Sequence, residues 1–496
     1  MSLEKTSNKF DAKKWALISG GAVCTLGLGY FMYQQLFGKE AVGHSCSNHL
    51  KTNKNGLDEE LAILRKSQIK KSVNYHLFLQ VDKDLQKFKG RVQIIFNTEE
   101  MTESAVDLAS QPSFDEDIFL DYAGTILSGE VNGYYKIDKD YVEKNSNGHL
   151  FRLNRKFLRS GKNEVNLDFE SDFSRSGEGM SHVFDEKNNE NYIFTWFETF
   201  GAHTCFPCFD QLDIKGQFDL MIRHPSTWKA VSNTKAKTMA NTCKFFEKAG
   251  KEITTSSDSV KTTSFIVTKN IPIYTFSINC GDFETLTCPK RHNNTVSVAI
   301  HCRRSTLAGF KENKDWLFET ILFGLKTQEQ LCGGVKYQWS KCDFIFTPNV
   351  GDFYAACENP GCITFKDDMF LNLNHTFYRK MLQTIMWHEL GHMWYGACVT
   401  NKWWGETWLK EAFADYLTYH TQAKFEELKL AESNVDQKEF YMNTSGHNLF
   451  LAFRLTGSLQ TEMEEIKQRS VSFELKDAMY GNLGYETYIY GKSVSC

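Results

Sequence analysis

Residues 387–416, WHELGHMWYGACVTNKWWGETWLKEAFADY, constrain this chain more than any other stretch. They contain an H-E-x-x-H sequence formed by His388, Glu389 and His392, and Glu411 follows after eighteen intervening residues. Positions i and i+4 lie on one face of a helix, so both imidazoles can point at the same ion. The sequence therefore predicts a helix that supplies half of a tetrahedral metal site.

Glu411 is the candidate third ligand, because residues 406–419 also have helical spacing. Gly396 and Val399 are predicted to end the first helix and let the chain turn back. Zinc with three protein ligands and an open fourth position is the catalytic arrangement, and Glu389 would take a proton from the water that the ion activates. The alternative is a chance motif on an ordinary amphipathic helix, and Glu411 argues against it. The predicted apolar face of the second helix comprises Trp408, Phe413, Tyr416 and Leu417.

The stretch resembles the aminopeptidase N family of zinc metallopeptidases (gluzincins), whose pattern is H-E-x-x-H, eighteen residues, then E, with W-W and W-L-x-E-x-F-A around it. The resemblance implies one Zn²⁺ per chain, held by His388, His392 and Glu411, with Glu389 as the general base. It also implies an α+β multidomain fold, in which an N-terminal antiparallel β saddle or sandwich domain precedes a thermolysin-like α/β domain. The matching positions are Trp403, Trp404, Trp408, Leu409, Phe413 and Ala414.

Composition excludes some classes of function and leaves others open. A formal net charge of -4 argues against a nucleic-acid partner. The 496 residues suffice for two or three domains. Cys205 and Cys208 form a C-F-P-C pair, but without a thioredoxin-like context it does not indicate a redox motif.

Residues 15–37 form an uncharged apolar run that is long enough to span a bilayer. Four lysines precede it, which predicts a cytoplasmic tail (1–14), a transmembrane anchor (15–37) and a lumenal or extracellular remainder, a single-pass type II arrangement. A cleaved signal peptide ending near residues 41–43 is the alternative, and a mitochondrial presequence is disfavoured because arginine is absent from this region. Residues 38–61 are predicted to be a stalk.

Residues 62–287 are predicted to form an antiparallel β domain. Short β-rich runs at 77–79, 92–96 and 165–169 are separated by turn signals such as Asn132-Gly133 and Asn147-Gly148. The catalytic domain is predicted to span residues 288–496.

Residues 194–218 resemble the family's T-Q-F-E followed by P-C-F-D-Q/E-P-x-x-K, whose glutamate reaches into the active site. Glu198 occupies that position. Trp196 stands in place of the usual Gln and Leu212 in place of Pro. We expect the first of these departures to change how the first residues of a substrate are held.

Residues 355–361, AACENPG, resemble the family's G-A-M-E-N motif. The resemblance implies that Glu358, with Glu198, pairs with the α-ammonium of a substrate, which would select peptides with a free N-terminus. Ala355 replaces Gly and is expected to crowd the substrate, while Cys357 replaces Met and is expected to reshape the first side-chain pocket. Ala356 and Asn359 complete the predicted substrate-binding loop.

Tyr490 matches the Tyr of the family's Y-x-K-G segment, which would stabilise an oxyanion. Tyr485 and Tyr488 remain rivals for that role. Because family members continue for several hundred residues, the catalytic domain is expected to be C-terminally incomplete.

The predicted function is that of a zinc aminopeptidase acting on peptides with a free N-terminus, with the membrane as a second partner. Two alternatives stay open. One is a leukotriene-hydrolase-like epoxide hydrolase, and the other is a catalytically impaired, membrane-anchored peptide-binding or receptor protein.

Overall fold

The computed structural model describes residues 56–83, 86–98, 117–237, 259–289, 296–348, 355–368, 372–432, 475 and 477–478. All of them belong to one unit of the chain, residues 54–496. The predicted tail, the predicted anchor at 15–37 and Tyr490 lie outside the described residues. Within the described part, no helix is both long and apolar enough to cross a membrane.

The strands of the described residues, in chain order, are β1 (Ile69–Gln80), β2 (Lys87–Thr98), β3 (Ile118–Asp121), β4 (Thr125–Val131), β5 (Tyr135–Ile137), β6 (Leu150–Leu153), β7 (Lys162–Asp172), β8 (Gly179–Asp185), β9 (Glu190–Trp196), β10 (Gly216–Pro225), β11 (Lys229–Ser232), β12 (Ala236–Lys237), β13 (Val260–Phe265), β14 (Ile278–Gly281), β15 (Phe283–Thr287), β16 (Ser297–Arg303), β17 (Lys341–Thr347), β18 (Ala356–Cys357) and β19 (Cys362–Lys366). The α-helices are α1 (Glu59–Gln68), α2 (Lys139–Asn145), α3 (Leu307–Leu331), α4 (Thr376–Gly391) and α5 (Trp408–Glu432). Short 3₁₀ helices span Arg155–Phe157, Ala202–Thr204, Ile273–Thr275, Arg304–Thr306 and Trp404–Glu406.

The N-terminal half is rich in β structure, as predicted. Its largest sheet has eight strands in the order β12-β13-β10-β1-β2-β7-β4-β5, and a four-stranded sheet has the order β11-β14-β9-β8. Strand β7 alternates buried and half-buried side chains, which is the period-two pattern of a strand with one face on the core.

The prediction of an antiparallel domain is wrong at one strand pair. Strand β1 runs parallel to β10, with residues 73–80 opposite residues 216–223. These strands are far apart in the chain, so no hairpin turn dictates their relative direction. The other pairs of this sheet are antiparallel.

The C-terminal part combines a mixed sheet, in the order β15-β16-β17-β19-β18, with helices α3, α4 and α5. Strand β15 joins this second sheet by pairing with β16. The domain boundary at 287/288 stays a prediction. One continuous cluster of buried apolar side chains includes Phe169 and Phe197 of the β-rich part and Phe344 and Trp387 of the second part.

Helix α5 buries Leu417 of the predicted apolar face, but it leaves Phe413 and Tyr416 exposed. Phe413 and Tyr416 are 42% and 48% exposed, whereas Glu411, Ala414 and Asp415 are buried. The reason is that α5 turns its polar ligand-bearing face inward against α4. Phe413 instead stacks on Tyr395, with ring centroids 4.4 Å apart.

Candidate active site

Helix α4 carries the H-E-x-x-H sequence at its C-terminal end. The helix ends at Gly391, earlier than predicted, but the amide of His392 still bonds the carbonyl of His388 at 3.3 Å. The i, i+4 relationship of the two histidines is therefore kept. Gly396, at φ 134°, lies in the turn that follows, where its amide bonds the carbonyl of Val399 at 2.7 Å.

Three ligand atoms converge between α4 and α5. His388 Nε2 and His392 Nε2 lie 3.0 Å apart. Glu411, from the first turn of α5, places its Oε2 3.2 Å from the first nitrogen and 3.5 Å from the second. Helices α4 and α5 are so close at Gly391 that a Cβ added there would lie only 3.0 Å from the Cα of Ala414.

Hydrogen bonds on the far side of each imidazole fix which nitrogen faces the centre. His388 Nδ1 lies 2.8 Å from Asp415 Oδ1, and His392 Nδ1 lies 2.9 Å from the carbonyl oxygen of Tyr395. Both partners are acceptors, so each Nδ1 donates its hydrogen. Both Nε2 lone pairs of the neutral rings then point toward Glu411. Two imidazoles and one carboxylate, each oriented from behind, are a donor set that fits zinc.

Asp415 is the residue that orients His388. Its side chain is only 2% exposed, so it contacts His388 from inside the protein. Burial lowers the pKa of His388, but hydrogen bonds to Asp415 and Glu411 outweigh burial and raise it to about 10. The site thus favours a positive charge at this imidazole, whether from a proton or from a metal ion.

Glu389 lies beside the donor set with one oxygen unsatisfied. Its side chain is 5% exposed, and within the described part of the chain its Oε2 has no hydrogen-bond partner. One ligand atom each of Glu389, Glu358 and His392 lie within 4.8 Å of one another. Burial raises the pKa of Glu389 to about 8, although His388 and His392 lower it. A buried carboxylate of this kind is suited to accept a proton from water.

The loop at residues 355–361 lies at the edge of the five-stranded mixed sheet, where β18 is the edge strand. Ala355 and Ala356 are half-buried, and the short strand β18 pairs with β19. Asn359 is buried, and its Oδ1 accepts a hydrogen bond from Thr364 Oγ1 at 3.0 Å. These bonds hold Glu358, which is also buried, in the site.

Glu198 reaches the same site from the loop that follows β9, and it is 4% exposed. The thiol of Cys357 lies 3.9 Å from Glu198 Oε2 and donates to it. Burial raises the pKa of that thiol well above its usual value, which keeps it protonated. The structure therefore brings together Glu198, Cys357 and Glu358, from two stretches of sequence that lie far apart.

Lys410 contacts three carboxylates of the site, and the sequence reasoning missed it. Its Nζ lies 2.5 Å from Glu198 Oε1, 2.6 Å from Glu358 Oε1 and 2.8 Å from Glu411 Oε1. Burial would raise the pKa of Glu358, but Lys410 and His392 outweigh it and lower the pKa to about 2. The sequence feature that could have identified Lys410 is its position directly before the candidate ligand Glu411, at the variable position of the W-L-x-E pattern.

Tyr274 is a second residue of the site that sequence reasoning missed. Its hydroxyl donates to Glu358 Oε1 at 2.9 Å, and its ring centroid lies 5.3 Å from Lys410 Nζ. It belongs to the 3₁₀ helix Ile273–Thr275, outside every motif. Tyr490, Tyr485 and Tyr488 lie outside the described residues, so the assignment of an oxyanion-binding tyrosine stays a prediction.

A β-rich domain followed by a helical domain that presents H-E-x-x-H and a downstream glutamate defines a metallopeptidase. Residues 325–481 match the Peptidase family M1 domain, and residues 71–266 match the Peptidase M1 N-terminal domain. The chain belongs to the aminopeptidase N family of zinc metallopeptidases, as its motifs predicted.

Three relatives show how far the similarity extends. Aminopeptidase N of Streptomyces lividans is 28% identical over 271 residues, which is 54% of this chain and 28% of that protein. Puromycin-sensitive aminopeptidase of Caenorhabditis elegans is 26% identical over 52% of this chain and 26% of its own length. Aminopeptidase N of Homo sapiens is 24% identical over 68% of this chain and 33% of its own. The chain thus matches about a third or less of the length of these relatives.

Proposed function

We propose that this chain is a zinc-dependent peptidase that removes residues from the N-terminus of peptides. The observation that carries the proposal is the convergence of His388 Nε2, His392 Nε2 and Glu411 Oε2 beside the unsatisfied oxygen of Glu389. The names of the relatives, all aminopeptidases, support the same reaction.

Each residue has a distinct part in the proposed reaction. Zinc, when bound, supplies Lewis-acid chemistry that polarises the scissile carbonyl and activates water. Glu389 accepts a proton from the attacking water and returns it to the leaving amine as the C–N bond breaks. Glu198 and Glu358 mark the end of the site where the N-terminus of the peptide lies. Tyr490 is proposed to bind the oxyanion.

The same proposal covers the fold type of each domain and the location of the protein. The second domain is taken as thermolysin-like and the first as the saddle or sandwich domain of the family. Residues 15–37 would anchor the chain as a single-pass type II membrane protein, with the peptidase part extracellular or lumenal; the apolar run and the preceding lysines support this.

The test compares Glu389→Gln with the wild-type chain on peptides whose N-termini are free or acetylated, with cleavage read by mass spectrometry. We expect wild type to remove the first residue of a peptide and Glu389→Gln to lose that activity while it still binds one equivalent of zinc. Glu406→Gln, which changes an exposed glutamate, is the matched control. Full activity in Glu389→Gln would rule out the assigned base.

A peptide-binding protein without turnover is the second candidate, and Ala355 and Cys357 favour it, because they replace the Gly and Met of the family's G-A-M-E-N motif. In that case zinc-loaded wild type would bind peptides and leave all of them intact.

A further inference from the structure

A second group of ligand atoms lies beside the three that are proposed to hold zinc. One carboxylate oxygen each of Glu198 and Glu358 and the sulfur of Cys357 lie within 4.8 Å of one another, and all three side chains are buried. We propose that these residues form a second metal site, which takes a thiophilic divalent cation such as Zn²⁺ or Cd²⁺ and then excludes the N-terminus of a peptide. This inference rests on the proposed function, which assigns the same two carboxylates to that N-terminus.

The donor set suits zinc or a softer cation better than magnesium or calcium, which take oxygen ligands. Cys357 Sγ lies 3.9 Å from Glu198 Oε2. In a tetrahedral zinc site with bonds of about 2.3 Å to sulfur and about 2.1 Å to oxygen, those two ligand atoms lie about 3.6 Å apart. The observed separation is only slightly longer, and cadmium, which forms longer bonds, fits it more closely.

Glu198 offers the ion an oxygen that Lys410 does not contact. Lys410 Nζ lies 2.5 Å from Oε1 of Glu198, whereas Oε2 of the same carboxylate faces the Cys357 thiol. A carboxylate accepts bonds at both oxygens, so a cation on the thiol side leaves the lysine contact intact. Glu358 is fixed at its Oε1 by Lys410 at 2.6 Å and by the Tyr274 hydroxyl at 2.9 Å. The three ligands are thus held together before any ion binds.

Negative charge surrounds the thiol of Cys357. Burial raises the pKa of this thiol well above its usual value, and three neighbouring carboxylates raise it further, although Lys410 opposes them. These carboxylates belong to Glu198, Glu358 and Glu389. They also attract a cation, and a thiol that binds a metal ion gives up its proton. The S–H bond breaks, a metal–sulfur bond forms and the proton passes to solvent, so affinity for the ion increases with pH.

Glu389 supplies a further acceptor. Its side chain is 5% exposed, and its Oε2 has no hydrogen-bond partner among the residues that the structure describes. One of its ligand atoms lies within 4.8 Å of one of Glu358. A buried carboxylate oxygen without a partner is costly, and a cation bound at Glu358 lowers that cost. The unsatisfied oxygen points to a bound cation independently of the thiol.

The site depends on Cys357, which stands where the family motif has Met. A thioether has no proton to lose and is a neutral ligand, so the thiolate gives this site its affinity for a thiophilic dication. Cys357→Met is therefore the matched variant, since it keeps a sulfur atom and removes the thiolate.

The test titrates Cd²⁺ into the zinc-loaded chain and records the ultraviolet charge-transfer absorption of a thiolate bound to cadmium. We expect a band that saturates with one ion in wild type and is absent in Cys357→Met. Cys398→Ser, which removes an exposed thiol, is the control and should keep the band. Glu198→Gln keeps the shape of the side chain and removes its charge, and it should weaken Cd²⁺ binding about tenfold or more. Zinc content and thermal unfolding establish that each variant is folded.

Competition with a free amine connects the ion to the peptide N-terminus. Leucinamide carries the free amine that Glu198 and Glu358 would bind, and N-acetyl-leucinamide does not. Leucinamide at about ten times its dissociation constant should weaken apparent Cd²⁺ binding about tenfold, whereas the acetylated ligand should leave it unchanged. In peptide cleavage, added Zn²⁺ should raise KM and leave kcat unchanged, and Cys357→Met should need about tenfold more Zn²⁺ for the same rise.

Three results would overturn the inference. These are the absence of a cadmium–thiolate band in wild type, a band that Cys357→Met retains or Cys398→Ser abolishes, and Cd²⁺ binding that leucinamide leaves unchanged. Failure of the proposed function has a different signature: a wild-type chain that cleaves no peptide, whatever the outcome of the cadmium titration.

Discussion

Asp415 Oδ1 lies 2.8 Å from His388 Nδ1, one turn of helix beyond Glu411, so a single helix supplies both a candidate ligand and the group that orients another. The two carboxylates thus act on opposite nitrogens of the same ring.

Asp415→Asn should weaken zinc binding. The amide can still accept a hydrogen bond but carries no charge, so His388 becomes a weaker donor, and we expect zinc affinity to fall about 10- to 100-fold. Competition with a chelator of known affinity measures the change. Asp315→Asn, at an exposed position of α3, is the control, and equal affinity in the two variants would contradict the assigned role.

Metal removal should lower the stability of the wild-type chain and not that of Glu411→Gln. A ligand that binds the folded state alone stabilises it by about 4 kcal/mol at a thousand times its dissociation constant. Thermal unfolding with and without EDTA should therefore show that EDTA lowers the melting temperature of the wild-type chain. The decrease should be smaller or absent in Glu411→Gln. The same shift in both proteins would place the stabilising ion elsewhere.

Gly391→Ala should destabilise the chain, although alanine is the better helix former. The new methyl group would press on the backbone of Ala414 at 3.0 to 3.2 Å, and overpacking of this kind costs about 1 to 3 kcal/mol. Gly309→Ala is the matched control, because its added Cβ meets nothing within 4 Å, and it should gain about 0.5 to 1 kcal/mol. Urea unfolding of the two variants would show opposite signs, and a gain in both would refute the close helix contact.

Tyr274→Phe removes the hydroxyl that donates to Glu358 and leaves the ring in place. A hydrogen bond to a buried charged group contributes about 1.5 to 3 kcal/mol, and we expect a loss of that size in the free energy of unfolding. Tyr134→Phe, at a side chain 75% exposed, should change nothing. Equal stability of both variants would mean that Glu358 does not depend on Tyr274.

His224 should make stability depend on pH in the acid range. Burial lowers its pKa from 6.5 to about 4, although the hydrogen bond that its Nδ1 donates to the Pro225 carbonyl raises it. In the neutral ring Nε2 faces Thr263 Oγ1. The unfolded chain binds the proton more readily, so this contribution is complete above pH 6.5 and is lost as pH falls toward 4.

Between pH 7.5 and pH 5 the loss from His224 should be about 2 kcal/mol. Urea unfolding of wild type and His224→Gln at both pH values measures it, and metal loss at low pH affects the two proteins alike. The variant should show the smaller decrease; parallel decreases would mean that His224 is not responsible.

The metal donor set could be predicted because it depends on local periodicity. His388 and His392 are one helical turn apart, and the segment with Glu411 follows directly, so short-range geometry nearly determines their approach. Asp415 was open to the same reasoning, since it lies one turn after Glu411, but its burial depends on how α5 packs against α4. That is a tertiary property, and the same uncertainty explains why Phe413 and Tyr416 were assigned to the wrong face.

Tyr274 and Lys410 mark the limit of sequence reasoning in this site. Tyr274 comes from a 3₁₀ helix far from any motif, and nothing in its neighbours indicates that it meets Glu358. Lys410 directly precedes the candidate ligand Glu411 in the sequence, but a lysine at the start of a helix is ordinarily solvated. Its role becomes visible only when Glu198 and Glu358 are placed around it in three dimensions.

The parallel pairing of β1 with β10 has a consequence for how this protein is made. A chain that emerges from the ribosome can pair β1 with β2 at once, but the other edge of β1 has no partner until residues 216–223 have been synthesised. An open edge of this kind is a template for pairing with other chains. Until β10 has been synthesised, the nascent protein therefore exposes one edge of β1, which is prone to aggregation. This strand edge is the surface that a chaperone would have to protect.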